Sequence, residues 1–474
     1  MDAGRLTLSR DEMREMGYRV VDLLVEHHAG LLENDTIVEG GTREEMEALF
    51  REPLPRQGHP PMEVLERTAR DVLRHVNHVD HPRFLAFIPG PSNFVGAMGA
   101  ALAAGINVFA GNWYEGAAAA QVELLVLDWL RELFGLPREA GGLFVSGGSA
   151  ANVTALAVAR RVMLEDRVEG AVVYVGDQTH SSVERGLRLL GFPPEAIRRL
   201  PTDSDFRLDP GVVAAAVEAD RRAGLRPFCV VATAGTTNTG AVDPLPPLRT
   251  LCTEEELWLH VDGAYGAGAI LCPEGREQLQ GIGGVDSFSL DPHKWLFQPF
   301  ESGVVWVRSD RELVETFRIL PEYLKDVDAR AGEVNYCDRG IQLTRSFRAL
   351  PLWMSLQVFG REGFEEGVGR GFEMARVLAG ALELRGWEIV TRPSMGIVTF
   401  RYAPAGWSGE AVDRLTRGLV EAIDARRFTV IFSTELRGRP VLRACPINPR
   451  LTPEEMEAVA EHLHGLAVEL VGRG

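Results

Sequence analysis

The sequence predicts an α/β fold built on a mainly parallel central sheet, and three observations predict it. From about Ala100 to Arg308, short apolar runs of strand length alternate with segments of helical length. Those runs are apolar throughout rather than at every second residue, the pattern of strands buried on both faces. Residues with reactive or charged side chains follow the carboxyl ends of the runs, where open parallel sheets bind ligands.

With 474 residues the chain is too long for one small core, and three units are expected: 1–90, 91–360 and 361–474. In the first, apolar residues at helical spacing (Met13, Met16, Val20, Val21, Leu24) predict an amphipathic helix over 11–33. "EPLPRQGHPP" breaks it, and a second helix is expected from Met62 to His78. "HPRFLAFIPGPSNF" reads as a loop punctuated by Pro and Gly. This unit has little core of its own.

In the second unit the strand-like runs are "AVVYV" (171–175), "FCVVATA" (228–234), "LWLHVD" (257–262), "SFSL" (287–290) and "GVVWVR" (303–308). In the third, a long helix over Gly363–Leu384 precedes "WEIV", "GIVTFRY", a further helix, "FTVIFSTEL", "PVLRACPIN" and a last helix from Pro453, a small α+β unit.

A net charge of −17 argues against nucleic acid or an anionic membrane surface as a partner. No run of about 18 apolar residues predicts a membrane span, and the first 20 residues lack a signal-type apolar core. The five cysteines are odd in number and form no C-x-x-C pair, which fits reduced thiols. The expected location is cytoplasmic.

Lysine is almost absent: only Lys294 and Lys325 occur among 50 basic residues. Lys325 lacks any chemical context. Lys294 stands in "DPHKW", directly after the apolar run "SFSL". The other runs deliver His180 in "GDQTHSSVER", Thr236 and Thr237 in "GTTNTG", and Asp262 at the end of "LWLHVD". Four strand ends thus bring a His, a Thr pair, an Asp and a Lys to one sheet edge. "VSGGSAANV" adds Gly148 and Ser149 at a helix start, where free N–H groups and the helix dipole suit a phosphate. It is neither a P-loop nor a dinucleotide motif, and "SGGSAAN" is not the elbow of a serine hydrolase.

A phosphate cradle, a carboxylate, a flat ring and a lone lysine together suit pyridoxal 5′-phosphate. Its aldehyde bonds a lysine amine, its ring nitrogen needs a carboxylate, and its phosphate needs N–H donors. No metal is expected. His75, His78 and His81 recur every three residues, but that spacing does not hold three ligands on one helix face, and Pro82 ends the helix.

The chain resembles the pyridoxal-phosphate-dependent group II amino-acid decarboxylases, nearest the aromatic-L-amino-acid type. "HPRFLAFIPG", "DQTHSSVERG", "GTTNTGAVD", "WLHVDGAYGAG", "DPHKW" and "RSFRALPLW" carry the resemblance in the family's order over nearly the whole chain. It implies the fold of the aspartate aminotransferase type, with an N-terminal helical arm and a small C-terminal α+β domain. It implies that Lys294 forms the Schiff base and Asp262 faces the pyridine nitrogen. His180 and Ala264 would cover the two ring faces, Gly148 and Ser149 would bind phosphate, and Thr237, Asp291 and His293 would line the cofactor site. Tyr336, in "NYCDRG", matches the family's mobile-loop tyrosine, the proton donor to the substrate carbon; its loop is read as Asp326 to Gly340. Phe87, Ile88, Pro89, Phe109 and Trp113 lie in segments that the resemblance puts near the substrate side chain.

The implied reaction is decarboxylation of an aromatic L-amino acid by a homodimer with a shared active site. Two departures stand out: Asp291 replaces a phosphate-contacting Asn, and Gly263 replaces Ala, a change expected to matter little. The alternatives are an aldehyde synthase, which oxidises the same carbanion and which loss of the loop tyrosine favours, and a decayed binding protein. The intact Lys294, Asp262 and His180 set opposes the latter.

Overall fold

Seven strands form the large sheet of the computed structural model, which describes residues 6–31, 33, 37–319, 330 and 332–473. They are β1 (Gly141–Val145), β2 (Ala171–Gly176), β3 (Ile197–Leu200), β4 (Arg226–Thr233), β5 (Trp258–Asp262), β6 (Ser287–Leu290) and β7 (Gly303–Val307). Their order is β1-β7-β6-β5-β4-β2-β3. The pairs β3–β2, β2–β4, β4–β5 and β5–β6 are parallel, whereas β7 is antiparallel to both β6 and β1. So "GVVWVR", expected to run with the rest, is the one reversed strand. The segment between β6 and β7 holds no helix, and a short return without a crossover can only lay the next strand antiparallel.

The uniformly apolar runs are buried on both faces as their composition requires. Val230, Val231, Ala232, Leu259 and Val261 are wholly buried, each of the larger ones contributing about 1.5–3 kcal/mol. Helices cover the sheet, among them Gly148–Leu164, which packs against β4, β5, β6 and β7. Two strands were not read from the sequence. β1 is the short apolar lead into the glycine turn, and β3, "IRRL", is a partly exposed edge with two arginines.

The small sheet contains β8 (Trp387–Ser394), β9 (Ile397–Tyr402), β10 (Phe432–Leu436) and β11 (Arg439–Ala444). Its order is β10-β11-β9-β8, antiparallel throughout. It shares a second core with the helices Ala349–Glu383, Gly409–Arg426 and Pro453–Arg473. The first of these helices breaks at Gly360, whose φ of 65° is left-handed.

At the N-terminus, helix Arg10–Gly30 starts at a Ser9–Glu12 capping box but buries no residue. The helix expected over Met62–His78 is regular only as Pro61–Arg67; it widens over Thr68–Val72 and tightens over Leu73–His75. There the His75 ring bonds the Asp71 carbonyl at 2.8 Å, diverting it from the helical ladder. No described helix is long and apolar enough to cross a membrane.

Candidate active site

Five strand ends open onto one cavity of about 420 Å³. The turn after β1 supplies Gly148 and Ser149, and the turn after β2 supplies His180. Thr237 follows β4, Asp262 and Ala264 close β5, and Asp291, His293 and Lys294 follow β6. All nine residues expected around the cofactor therefore share one cavity. Thr236 is buried beside it, its hydroxyl 2.8 Å from that of Thr239, holding the turn that presents Thr237.

The Asp262 carboxylate is oriented by three donors. Asn152 Nδ2 reaches Oδ2 at 3.1 Å, while the Ala264 N–H and the Ser289 hydroxyl each reach Oδ1 at 3.2 Å. The strands explain this. Side chains alternate along a strand, so His260 and Asp262 share a face of β5, and Ser287 and Ser289 share a face of β6. His260 pairs with Ser287 in the register, which makes a polar ladder inside an apolar sheet.

His260 Nε2 donates to Asn152 Oδ1 at 3.0 Å, and its Nδ1 lies 2.9 Å from the Ser287 hydroxyl, which takes the Trp258 indole N–H at 2.8 Å. Burial pushes this imidazole down to about 4 despite the nearby Asp262 carboxylate, so it is neutral at ordinary pH. Asn152 also donates to the Ser182 hydroxyl at 3.1 Å, and that hydroxyl lies 2.9 Å from His180 Nδ1. The Ser182 backbone N–H points at the same Nδ1 at 3.2 Å, which makes Nδ1 an acceptor and leaves the His180 proton on Nε2. Asn152, Ser182, His260 and Ser289 were not singled out from the sequence. The spaced pairs H-x-D and S-x-S inside otherwise apolar strands were the available signal.

Lys294 is anchored by its neighbours. Trp295 is fully buried and stacks on Tyr265 at 5.0 Å between ring centroids. His293 Nδ1 accepts the Ser302 N–H at 3.0 Å. Lys294 Nζ forms an ion pair with Asp291 Oδ2 at 2.9 Å.

Gly147 and Gly148 make the cradle. Helix Gly148–Leu164 has no side-chain cap. A Cβ on Gly148 would lie 2.7 Å from the Ala264 Cβ and 3.0 Å from Asp291 Oδ2. Only glycine keeps that space open. An amine, a fixed carboxylate, a flat imidazole, small Ala264 and an uncapped helix N-terminus fit pyridoxal phosphate group by group.

Tyr336 is elsewhere. Its exposure is 1%, with its ring under the Arg345 guanidinium at 4.9 Å and its hydroxyl without a partner. Arg345 is itself buried in an ion pair with Glu123 at 2.6 Å. The ring has been drawn onto this cation, which replaces the exposed loop position expected for it. Residues 326–329 and 331 of that loop, and Lys325, lie outside the described residues.

The five substrate-side residues do not line the cavity of this chain either. Phe87 takes a left-handed φ of 51°, is 63% exposed and packs on Phe432 at 5.2 Å. Ile88 and Trp113 are half-buried at the edge of the large core, and Pro89 is buried. Phe109 packs over Gly111 and Gly116. Arg443 on β11 was missed. It donates to the Thr237 carbonyl at 2.7 Å and to the Phe87 carbonyl, and its Nη2 is buried without a partner. The histidine triplet also rearranges: among the described residues, His78 groups with His27 and Asp80 rather than with His75 and His81. The Gly263 change has more consequence than expected, since a Cβ there would meet the Ser289 carbonyl at 2.8 Å.

Known proteins match along this frame. An aromatic-L-amino-acid decarboxylase of Bacillus atrophaeus is 45% identical over 468 residues, covering 98% of this chain and 97% of that protein. A phenylacetaldehyde synthase of Arabidopsis thaliana is 31% identical, covering 94% of each. Oryza sativa TDC, solved with PLP and tryptamine, superposes with a TM-score of 0.92 at 29% identity, covering 98% of this chain and 99% of that one. The model of the pyridoxal-dependent decarboxylase conserved domain matches residues 44–403, and the chain belongs to that family.

Proposed function

We propose that the chain decarboxylates an L-amino acid with an aromatic side chain and releases the amine. One observation carries this reading: the single lysine of the cavity faces a carboxylate held by three donors and an uncapped helix N-terminus. The similarity to the Bacillus atrophaeus enzyme supports the aromatic substrate.

Gly148 and Ser149 would hold the cofactor's phosphate, Asp262 its ring nitrogen, and Ala264 and His180 its faces. When bound there, pyridoxal phosphate supplies a ring that draws electrons from the substrate's α-carbon, so that carbon dioxide can leave. Asn152 and Ser289 keep the Asp262 oxygens aimed. His180 presents an Nε2–H to the cavity, because Ser182 occupies Nδ1. Lys294 would hold the cofactor through its amine, give way to the substrate's amine on entry, and displace the product amine at release. Arg443, whose Nε donates to the Thr237 carbonyl, would position Thr237 at the cavity wall. Tyr336 is assigned the proton returned to the α-carbon, which requires it to leave the seat on Arg345.

That seat, together with the similarity to a phenylacetaldehyde synthase, favours a second reading in which dioxygen oxidises the α-carbon, giving an aldehyde, carbon dioxide, ammonia and hydrogen peroxide. Exposed apolar residues on helix Arg10–Gly30 and on the Phe87 and Phe300 surface support a homodimer with a shared site. Five free cysteines support a cytoplasmic location.

The test is a product screen of the cofactor-loaded protein with the L-amino acids, L-dopa and 5-hydroxytryptophan, assaying amine, aldehyde and peroxide. An aromatic amine without peroxide is expected, with Lys294→Ala silent and Tyr336→Phe shifted toward aldehyde and peroxide. An Ala variant that retains substantial turnover overturns the assignment of Lys294. Aldehyde from the unmodified chain selects the second reading.

A further inference from the structure

Asp291 holds a negative charge at the point where the phosphate has to sit. Its carboxylate is 2% exposed, and Oδ2 lies 3.0 Å from the position a Gly148 Cβ would take, at the uncapped start of helix Gly148–Leu164. Its backbone is pinned on both sides: the Asp291 N–H donates to Ala264 O at 2.9 Å, and Asp291 O accepts the Lys294 N–H at 3.0 Å. Oδ1 is buried with no hydrogen-bond partner.

The groups facing the carboxylate are few. Lys294 Nζ is at 2.9 Å and His293 Nε2 at 3.6 Å, with His180 and Asp262 on the other cavity walls. Burial pushes the His293 imidazole down, and its Nδ1 is already an acceptor, so it faces Asp291 as a neutral N–H. Among the described residues Lys294 is then the one full cation close to Asp291, and Lys294 is the group that bonding to the cofactor engages.

We propose that Asp291 is a built-in anionic competitor of the cofactor's phosphate: it neutralises Lys294 in the cofactor-free chain and opposes a phosphorylated ligand, which sets a weak and exchangeable hold. An asparagine of the same shape would offer the phosphate a donor instead of a charge. The inference rests on the pyridoxal phosphate reading of the cavity.

The experiment compares the cofactor-free, full-length protein with Asp291→Asn. Dissociation constants are measured by tryptophan fluorescence for three probes: pyridoxal 5′-phosphate, 4′-deoxypyridoxine 5′-phosphate (no aldehyde for Lys294) and pyridoxal (no phosphate). The variant is expected to bind both phosphorylated probes at least about tenfold more tightly and pyridoxal within about twofold of the original. Asp291→Ser, checked by its melting curve, repeats the test without a mimic of the carboxylate's shape. Equal or weaker binding of the phosphorylated probes overturns the inference. So does tightening of pyridoxal 5′-phosphate and pyridoxal without 4′-deoxypyridoxine 5′-phosphate, which would trace the effect to a freed Lys294 alone. If neither phosphorylated probe binds any version, it is the cofactor reading itself that fails.

Discussion

Gly148 and Asp291 show how much a single side chain decides here. Gly148 has an ordinary helical role, yet a methyl group on it would press on Ala264 and on the Asp291 carboxylate. Gly148→Ala is expected to weaken cofactor binding at least about tenfold while leaving the melting temperature within a few degrees, since the methyl projects into the cavity and not into the core. Retention of full cofactor affinity, read from the visible spectrum on titration, would show that the phosphate lies elsewhere. The lone lysine, the strand-final aspartate and the glycine turn were legible because each is a residue type that does not belong in an apolar setting without a reason. Tyr336 was not legible. Its motif suits an exposed loop, but its position is set by Arg345 and Glu123, residues 9 and 213 positions away.

At the scale of elements, β5 and β6 carry the polar ladder on one face and the apolar core on the other. His260 is the telling member. Its folded value of about 4 lies below the unfolded value near 6.5. Between those values the unfolded chain binds a proton that the folded one refuses. The stability associated with neutral His260 is therefore complete above pH 6.5 and is lost as pH falls toward 4. The loss on going from pH 7 to pH 4.5 is about 2 kcal/mol. Buried Asp243, pushed up to about 6 chiefly by burial, acts in the opposite sense between its unfolded value and 6, so the wild-type profile alone is ambiguous. The comparison that isolates the ladder is His260→Gln. Its melting temperature should fall less over that pH range than that of the original chain, and parallel profiles would contradict a neutral His260. The reversed β7 is a second case at this scale: the composition of "GVVWVR" specifies burial, but direction follows from the connection, which holds no crossover helix.

For the molecule as a whole, the helix Arg10–Gly30 is the feature that a single chain leaves unexplained. Met13, Val21 and Val25 follow one another every four or eight residues and so share a face, and each is more than 40% exposed. A capped, 21-residue helix that buries nothing of its own is costly to leave bare. Phe87, Leu102, Ile106, Tyr114 and Phe300 add exposed apolar surface elsewhere on the chain. A second copy covering the helix face is the expected state. Sedimentation should give a dimer at micromolar concentration, and Val21→Asp with Val25→Asp should shift it toward monomer with loss of turnover. A fully active monomer would refute both the dimer and the shared site.

By itself the sequence determined the α/β class, the burial of the central strands and the set of nine residues around one cavity. Apart from Ala264, Asp291 and His293, which the family resemblance supplied, these follow from local signals: continuous apolar runs, glycine at a helix start, and reactive residues at strand ends. The tertiary structure decided what depends on partners distant in the chain. It set the direction of β7 through the shape of one connection. It recruited Asn152, Ser182, His260 and Ser289 into a network through strand register. It drew Tyr336 onto a buried cation. And it placed the Asp291 carboxylate between Lys294 and the phosphate cradle, where its charge opposes a phosphate.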